Sequence, residues 1–242
     1  MTKILKVRDK FEKYYTEHNF FSLPFKLCIC GKSQLSGKTT VILNLLLRDQ
    51  FYKKHFKGDN IYIVSGNKLD NKIKMLMEQK DIPDENFMDY NEETLTDLYE
   101  ILEEEFEEAR SSGEKPDSKL IVFDDISFSG NLKNREYGIV SRIVCNGRHI
   151  MLSSVFTCQK YTQLSTTVRE NLTGAIFFGA SLKQLDLIVQ DHNFLEHNKA
   201  FIKMFKANTK EKHDFLVINY SKPFAQRYMD NFFKPIDTDK YT

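Results

Sequence analysis

The chain has 242 residues, with 35 Lys+Arg against 34 Asp+Glu and a formal net charge of +1. Such a length predicts one large domain or two small ones, and a hydrophobic content of 41% supplies a sizeable core and argues against a mostly disordered chain. No apolar run reaches the ~18 residues of a membrane helix, the N-terminus lacks the apolar stretch and cleavage site of a signal peptide, and four Cys make no disulfide scaffold, which fits a reducing compartment.

The elements follow from periodicity and breakers. Residues 1–20 place Ile4, Val7, Phe11 and Tyr15 at helical spacing and predict an amphipathic helix that Leu23-Pro24 breaks. Phe25–Cys30 reads as a buried strand ending in Gly31, and Thr39–Leu47 as a helix. Ile61–Val64 is a second strand; residues 68–80 and 92–112 are predicted helical, separated by a loop with Pro83. Leu120–Phe123 is a third strand, closed by Asp124-Asp125. A helix over 136–146, strands at Ile150–Phe156 and Ala175–Phe178, and a helix over 181–190 follow. Phe201–Lys206 and Phe215–Tyr220 flank a polar turn and predict a hairpin, with a helix and an extended end after Pro223. Short apolar strands alternating with helices predict an α/β fold with a largely parallel central sheet. Three segments are expected: an N-terminal helical extension (1–22), a core domain (23–220) and a C-terminal tail (221–242).

Charge is uneven along this plan. Residues 1–66 hold 12 basic and 5 acidic side chains, whereas residues 67–119 hold 7 and 17. The acidic block centres on Glu103-Glu104-Glu105-Phe106-Glu107-Glu108 and reads as a solvated helix face. The sequence pI of about 7.6 is no domain-wide nucleic-acid footprint. Contact with DNA would have to come from a local patch or from a ring of subunits sharing the work.

The strongest motif is Gly31-Lys32-Ser33-Gln34-Leu35-Ser36-Gly37-Lys38-Thr39-Thr40, between a predicted strand and a predicted helix. That context is the one a P-loop requires. Backbone N–H groups of the loop and the helix N-terminus point at phosphate oxygens. Lys38 would reach the β- and γ-phosphates, Thr39 would ligate Mg²⁺, and Gly37 would let the backbone approach closely. The usual pattern has four residues between the first Gly and Gly-Lys; here five separate Gly31 from Gly37. Either the loop bulges by one residue or Lys32 faces the phosphates. The strand ending in Asp124-Asp125 is a Walker B pattern: Asp124 would hold Mg²⁺ and Asp125 would orient or deprotonate the attacking water.

Two other readings fail on position. Asn67-Lys68-Leu69-Asp70 spells the NKxD guanine motif, but it precedes the Mg²⁺-site strand instead of following it, and no DxxG follows Asp124. A thymidine-kinase-like enzyme would carry Cys-x-x-Cys zinc pairs, which are absent; Cys28 and Cys30 alternate along a strand and read as core.

After Walker B come Cys145-Asn146-Gly147-Arg148-His149, an apolar strand ending near Gln159, and Val168-Arg169-Glu170-Asn171. This order, closed by Lys212-His213-Asp214-Phe215-Leu216-Val217-Ile218, resembles the genome-packaging ATPases of large double-stranded DNA viruses and virophages, members of the FtsK–HerA group of P-loop ATPases. The resemblance runs from about Phe25 to Tyr220. It implies an ASCE/RecA-like P-loop NTPase fold, with ATP and Mg²⁺ as cofactors. It implies that Gln159 is a polar sensor of the γ-phosphate. Arg148, with Arg169 as a second candidate, would be the finger offered to a neighbouring subunit's nucleotide. Lys32, Ser33, Ser36 and Thr40 would complete the phosphate-binding set around Gly31, Gly37, Lys38 and Thr39. Lys133 and Arg135, in the loop after Walker B, would touch the DNA backbone without reading sequence. The implied partners are double-stranded DNA, further copies of the chain in a ring of five or six, and a capsid vertex or portal component, without membrane insertion. The implied location is the host-cell cytoplasm or a viral factory, with the virion as a third place. The expected function is an ATP-hydrolysing motor that moves viral DNA into a preformed capsid. A HerA-like translocase not dedicated to packaging and a P-loop small-molecule kinase stay open as alternatives.

Overall fold

A computed structural model describes residues 11–32, 36–67, 70–125 and 138–242. Nine strands form one sheet among these residues: β1 (Lys26–Cys30), β2 (Ile61–Ser65), β3 (Phe87–Met88), β4 (Lys119–Asp124), β5 (Leu152–Cys158), β6 (Gly174–Phe177), β7 (Leu216–Asn219), β8 (Tyr228–Asp230) and β9 (Lys234–Pro235). Their order is β3-β2-β4-β5-β1-β6-β7-β8-β9. The strands from β3 to β6 are parallel, and β7, β8 and β9 continue the sheet antiparallel.

The central strands are buried throughout, as parallel strands covered on both faces must be. Alternation then sorts side chains by face. Leu27 and Ile29 pack under helices α1 (Lys38–Leu47) and α2 (Asn71–Lys80), with Val41, Ile42, Leu46, Ile73 and Leu76. Cys28 and Cys30 face the opposite layer, built by α3 (Glu92–Ser112), α4 (Ile139–Asn146), α5 (Thr166–Glu170), α6 (Leu182–His192) and α7 (Asn198–Ala207). Each fully buried Leu or Phe of these layers contributes about 1.5–3 kcal/mol relative to exposure. Because β1, β2, β4 and β5 are parallel and in register, Cys30, Ser65, Asp124 and Cys158 all end on one edge of the sheet. That edge is where an open α/β sheet holds its ligand.

Several expectations need correction. The helix predicted over 1–20 is, in its described part, a single 3-10 turn at Glu12–Tyr14. The chain then turns extended, bridging Thr16 to Leu23, and sends Phe20 and Phe21 into an aromatic cluster with Phe51 and Phe232. Gly174 makes room for this, since a Cβ there would lie 2.1 Å from the Phe21 ring. Residues 201–206 form no hairpin strand but belong to α7, because Ala200, Phe201, Met204 and Phe205 share one helical face and bury it. The segment after Pro223 is not a helix and an extended end: it makes a 3-10 turn and then β8 and β9, paired onto β7. The two-residue β3 was not predicted. No helix among the described residues is long and apolar enough to cross a membrane.

Candidate nucleotide-binding site

The loop after β1 turns back on itself at a neck that only glycine fits. A Cβ on Gly31 would lie 2.6 Å from Ser36 Cβ and 2.8 Å from Phe178 Cβ. Ser36 Oγ closes the loop by donating to the Lys32 carbonyl at 2.7 Å. Gly37 has φ 94°, the left-handed region that glycine enters without a Cβ penalty, and it leads directly into α1. The start of α1 has no side-chain cap and no acidic residue in its first turn. Its unpaired N–H groups and the positive end of its dipole are therefore left for an anion. Lys38 is buried, and its ammonium donates to the Gly31 carbonyl at 2.9 Å, inside the cradle. Thr39 and Thr40 follow on the first turn and line the same cavity. Lys32 is exposed and lines the neighbouring cavities instead. Ser33 lies outside the described residues, as do Lys133 and Arg135.

Two strands away, β4 delivers Asp124 and Asp125. Asp124 is 6% exposed, and one of its oxygens accepts from Thr157 Oγ1 at 2.7 Å. Burial pushes its carboxyl pKa up; the Thr157 bond and the Lys38 ammonium act against that, and Asp125 and Asp70 reinforce it. Asp125 has φ 51°, which turns it off the strand axis. Its N–H donates back to the same Thr157 oxygen at 2.9 Å, and its carboxylate accepts from Gln159 Nε2 at 2.9 Å. Thr157 thus locks both acids, and Gln159 at the tip of β5 touches the second. Thr157 was not singled out from sequence; the available signal was a hydroxyl near the end of the strand, two positions before Gln159.

The connection from β2 to α2 supplies a further wall. Asn67, Asp70, Asn71 and Lys72 line one cavity of about 710 Å³ together with Lys38, Thr39, Asp124 and Asp125. Asp70 caps α2 by accepting from the Lys72 and Ile73 N–H groups. The Lys72 ammonium donates to Thr40 Oγ1 at 2.8 Å. Asn67 and Asp70 of the NKxD lookalike therefore do reach the cavity, although its place before β4 still sets it apart from the guanine motif. The opposite wall is Phe178, His213, Phe215 and Phe232. His213 has φ 73° and its Nδ1 lies 3.3 Å from the Ser36 carbonyl.

The two arginines lie elsewhere. Arg148 sits on the 3-10 turn before β5, at the other edge of the sheet, exposed, beside His149 and the start of β1 at Lys26. Arg169 stands on α5, just before β6, ion-paired with Asp191 and 5.6 Å from the centre of the Tyr161 ring. Neither lines the cavity of Lys38 and Asp124.

The family model of the poxvirus A32 protein matches residues 12–234. This chain belongs to the poxvirus A32 protein family. The A32 match spans every strand of the sheet from β1 to β8 and all the elements of the cavity. No curated protein is significantly similar to this A32-family chain. Among solved structures, the genome packaging NTPase B204 from Sulfolobus turreted icosahedral virus 2, in complex with ATP-gammaS, superposes with a TM-score of 0.58 at 16% identity, over 88% of this chain and 98% of that one. Its complex with AMP gives 0.59 at 15% identity over the same shares. EssC (ATPases 2 and 3) from Geobacillus thermodenitrificans gives 0.51 at 15% identity, over 68% of this chain and 34% of that one. These likenesses are of fold: a P-loop ATPase sheet with helices on both faces.

Proposed function

We propose that this A32-family chain is the ATP-hydrolysing motor that moves double-stranded viral DNA into a preformed capsid. The observation that carries the reading is the convergence on one cavity of the uncapped start of α1, Lys38, and the Asp124–Thr157–Asp125–Gln159 network. The fold shared with a viral genome packaging NTPase supports the task. Lys38, Thr40 and the α1 N–H groups bind and orient the phosphates. Thr39 and Asp124 would hold Mg²⁺. The fit is chemical: burial raises the cost of the Asp124 charge, and a cation beside it relieves that cost. Bound Mg²⁺ would be held mostly by water and phosphate oxygens, as is usual for this ion, and would neutralise phosphate charge. Asp125 accepts the proton of the attacking water, and Gln159 fixes the direction of its carboxylate.

The position of Arg148 supports a shared site. An exposed guanidinium at the opposite sheet edge does not line its own cavity, so a nucleotide it serves would be one bound by another copy. The reading is of a ring of five or six subunits, each offering Arg148 to its neighbour's nucleotide. Arg169, held by Asp191, is less free for the role. Lys133 and Arg135 remain the proposed DNA-backbone contacts after Walker B. A capsid vertex or portal component would be the docking partner, in the host cytoplasm or a viral factory.

The test is steady-state ATP hydrolysis with and without long duplex DNA, for the unaltered chain, Lys38→Ala and Arg148→Ala. DNA stimulation that both substitutions abolish, by roughly 10³-fold or more for the loss of a transition-state cation, is the expected result. Hydrolysis indifferent to DNA at concentrations that allow ring assembly would overturn the motor reading. Normal hydrolysis by Arg148→Ala beside a dead Lys38→Ala would overturn the finger.

A further inference from the structure

The chain is nearly neutral, yet its last helix is not. Residues 199–212 contain Lys199, Lys203, Lys206, Lys210 and Lys212 against one acid, Glu211. On α7, Lys199, Lys203 and Lys206 fall within about 60° of one another at about 3.6 residues per turn. All three are exposed, and the face opposite them is the buried one, made by Ala200, Phe201, Met204 and Phe205. The exposed acidic helix α3 makes ion pairs with Arg110, Lys119 and Arg142. Among the described residues, no carboxylate lies within 4.0 Å of Lys199, Lys203 or Lys206. Glu211 pairs with Lys210, and Asp214 accepts from the Glu211 N–H.

This basic stripe leads to the phosphate loop. Lys206, Lys210 and Lys212, with Glu211 and Asp214 among them, line a cavity of about 530 Å³ that also includes Lys32 and Ser36, a balance of four lysines to two acids. The turn that carries Lys210 and Lys212 ends in His213, whose ring borders both this cavity and the nucleotide cavity and meets the Ser36 carbonyl. We propose that α7 and the turn after it form a contact surface for the phosphate backbone of duplex DNA, coupled to the phosphate loop through His213. The inference rests on the packaging-motor reading and names where its DNA lies. An isolated helix face of lysines is commonly only solvated; here the spacing, the lack of carboxylate partners and the continuity with the loop cavity together fit a polyanion. Duplex DNA carries one charge per about 1.7 Å of axis, so a stripe of roughly 10 Å faces several phosphates and needs no base contact.

The test measures binding of a fluorescent duplex over a series of salt concentrations, using the full chain. Combined Lys199→Gln, Lys203→Gln and Lys206→Gln should lower the slope of log affinity against log salt by roughly 1 per lysine, equally for unrelated duplex sequences. Hydrolysis without DNA should stay as it was. The same charge removed at Lys53, Lys54 and Lys240, exposed lysines paired with Asp49 or Asp237, should leave the slope alone. His213→Gly keeps the left-handed backbone and removes the ring; it should retain DNA affinity while losing most of the stimulation of hydrolysis. An unchanged slope in the α7 variant, with the unaltered chain binding DNA, overturns the surface and leaves the motor standing. No salt-dependent DNA binding by the unaltered chain overturns both. An equal loss at the control lysines shows a general charge effect and overturns the surface.

Discussion

The two edges of the sheet hold similar inventories of charge and use them in opposite ways. At the edge where β1 and β4 end, Lys38, Asp124 and Asp125 face a cavity, and their partners are a carbonyl, a hydroxyl and an amide that leave further sites free. At the other edge, Arg169 and Asp191 close on each other, and His192 lies buried between the hydroxyls of Tyr161 and Tyr220. The first set leaves its charges turned to the cavity beside α1; in the second, Arg169 and Asp191 pair with each other at the rim of a separate cavity of about 510 Å³. Perturbed titratable groups therefore do not by themselves mark a site in this protein. Both sets border a cavity; what distinguishes the nucleotide edge is the uncapped helix start beside it.

The largest effect that would break this contrast lies at Arg169. Arg169→Met strips a largely buried ion pair of one partner and should cost about 3–4 kcal/mol of stability, read from denaturant unfolding, because Asp191 is left uncompensated. Turnover per folded molecule should be retained. A variant as stable as the parent but slow in hydrolysis would make Arg169 a phosphate ligand and erase the distinction.

His192 gives the next largest effect, through pH. Burial pushes its pKa down from 6.5 to about 4; Asp191 opposes this, Arg169 adds to it, and Tyr161 and Tyr220 are its hydrogen-bond partners. The unfolded chain takes up a proton near pH 6.5 that the folded chain refuses until about pH 4. The contribution is thus fully present above pH 6.5 and is lost as pH falls towards 4, by up to about 3 kcal/mol. His192→Phe should flatten that interval of the stability profile. An unchanged slope would mean that His192 titrates normally and that the far edge is open to water.

How much of this was legible in the sequence follows from the range of each contact. The phosphate loop and the Walker B strand are contiguous signals, and with the alternation of strands and helices they predict the parallel sheet and the residues Lys38, Thr39, Asp124 and Asp125 that meet at one edge; Gln159 comes only with the family resemblance. The partners that arrive from other elements were not legible. Thr157 looks like one more strand residue until β5 lies beside β4. Asp70 closes a motif rejected on its position and Lys72 lies two residues beyond it, and only the packing of α2 on α1 brings them to the cavity. Residues 201–206 of α7 resemble a strand in sequence because they are a short, mostly apolar window before a polar turn, where the two periods are hard to tell apart. Strand β8 has three residues and β9 two, with Lys234 and Pro235 exposed, so neither is long enough to show a period. The far edge teaches the same lesson: Arg169 has the sequence context of a finger, and its ion pair with Asp191 is a long-range fact.

At the nucleotide edge the contrast is sharpened first at Thr157. Thr157→Val keeps the shape and removes the hydroxyl that serves both acids. Losing one hydrogen bond to a buried carboxylate costs about 1.5–3 kcal/mol, so hydrolysis should fall roughly 10- to 100-fold. The affinity for ATP should change little, since Lys38 and the α1 N–H groups are untouched. A loss confined to affinity would instead place Thr157 in the phosphate cradle.

The smallest effect separates the cradle from the wall beside it. Lys72 lines the cavity one hydroxyl away from the start of α1, through Thr40. If its charge serves the phosphates, Lys72→Gln should weaken ATP binding by about tenfold, the loss of one charge-assisted bond, while Lys72→Arg recovers most of it. If Lys72 only braces Thr40, Gln can still donate to that hydroxyl, and both variants should bind alike. Binding of a fluorescent ATP analogue in the absence of DNA distinguishes the two, because hydrolysis, ring assembly and the α7 lysines do not enter. A tenfold split between Gln and Arg extends the open edge of the sheet to α2; equal affinities confine it to β1, β4 and β5.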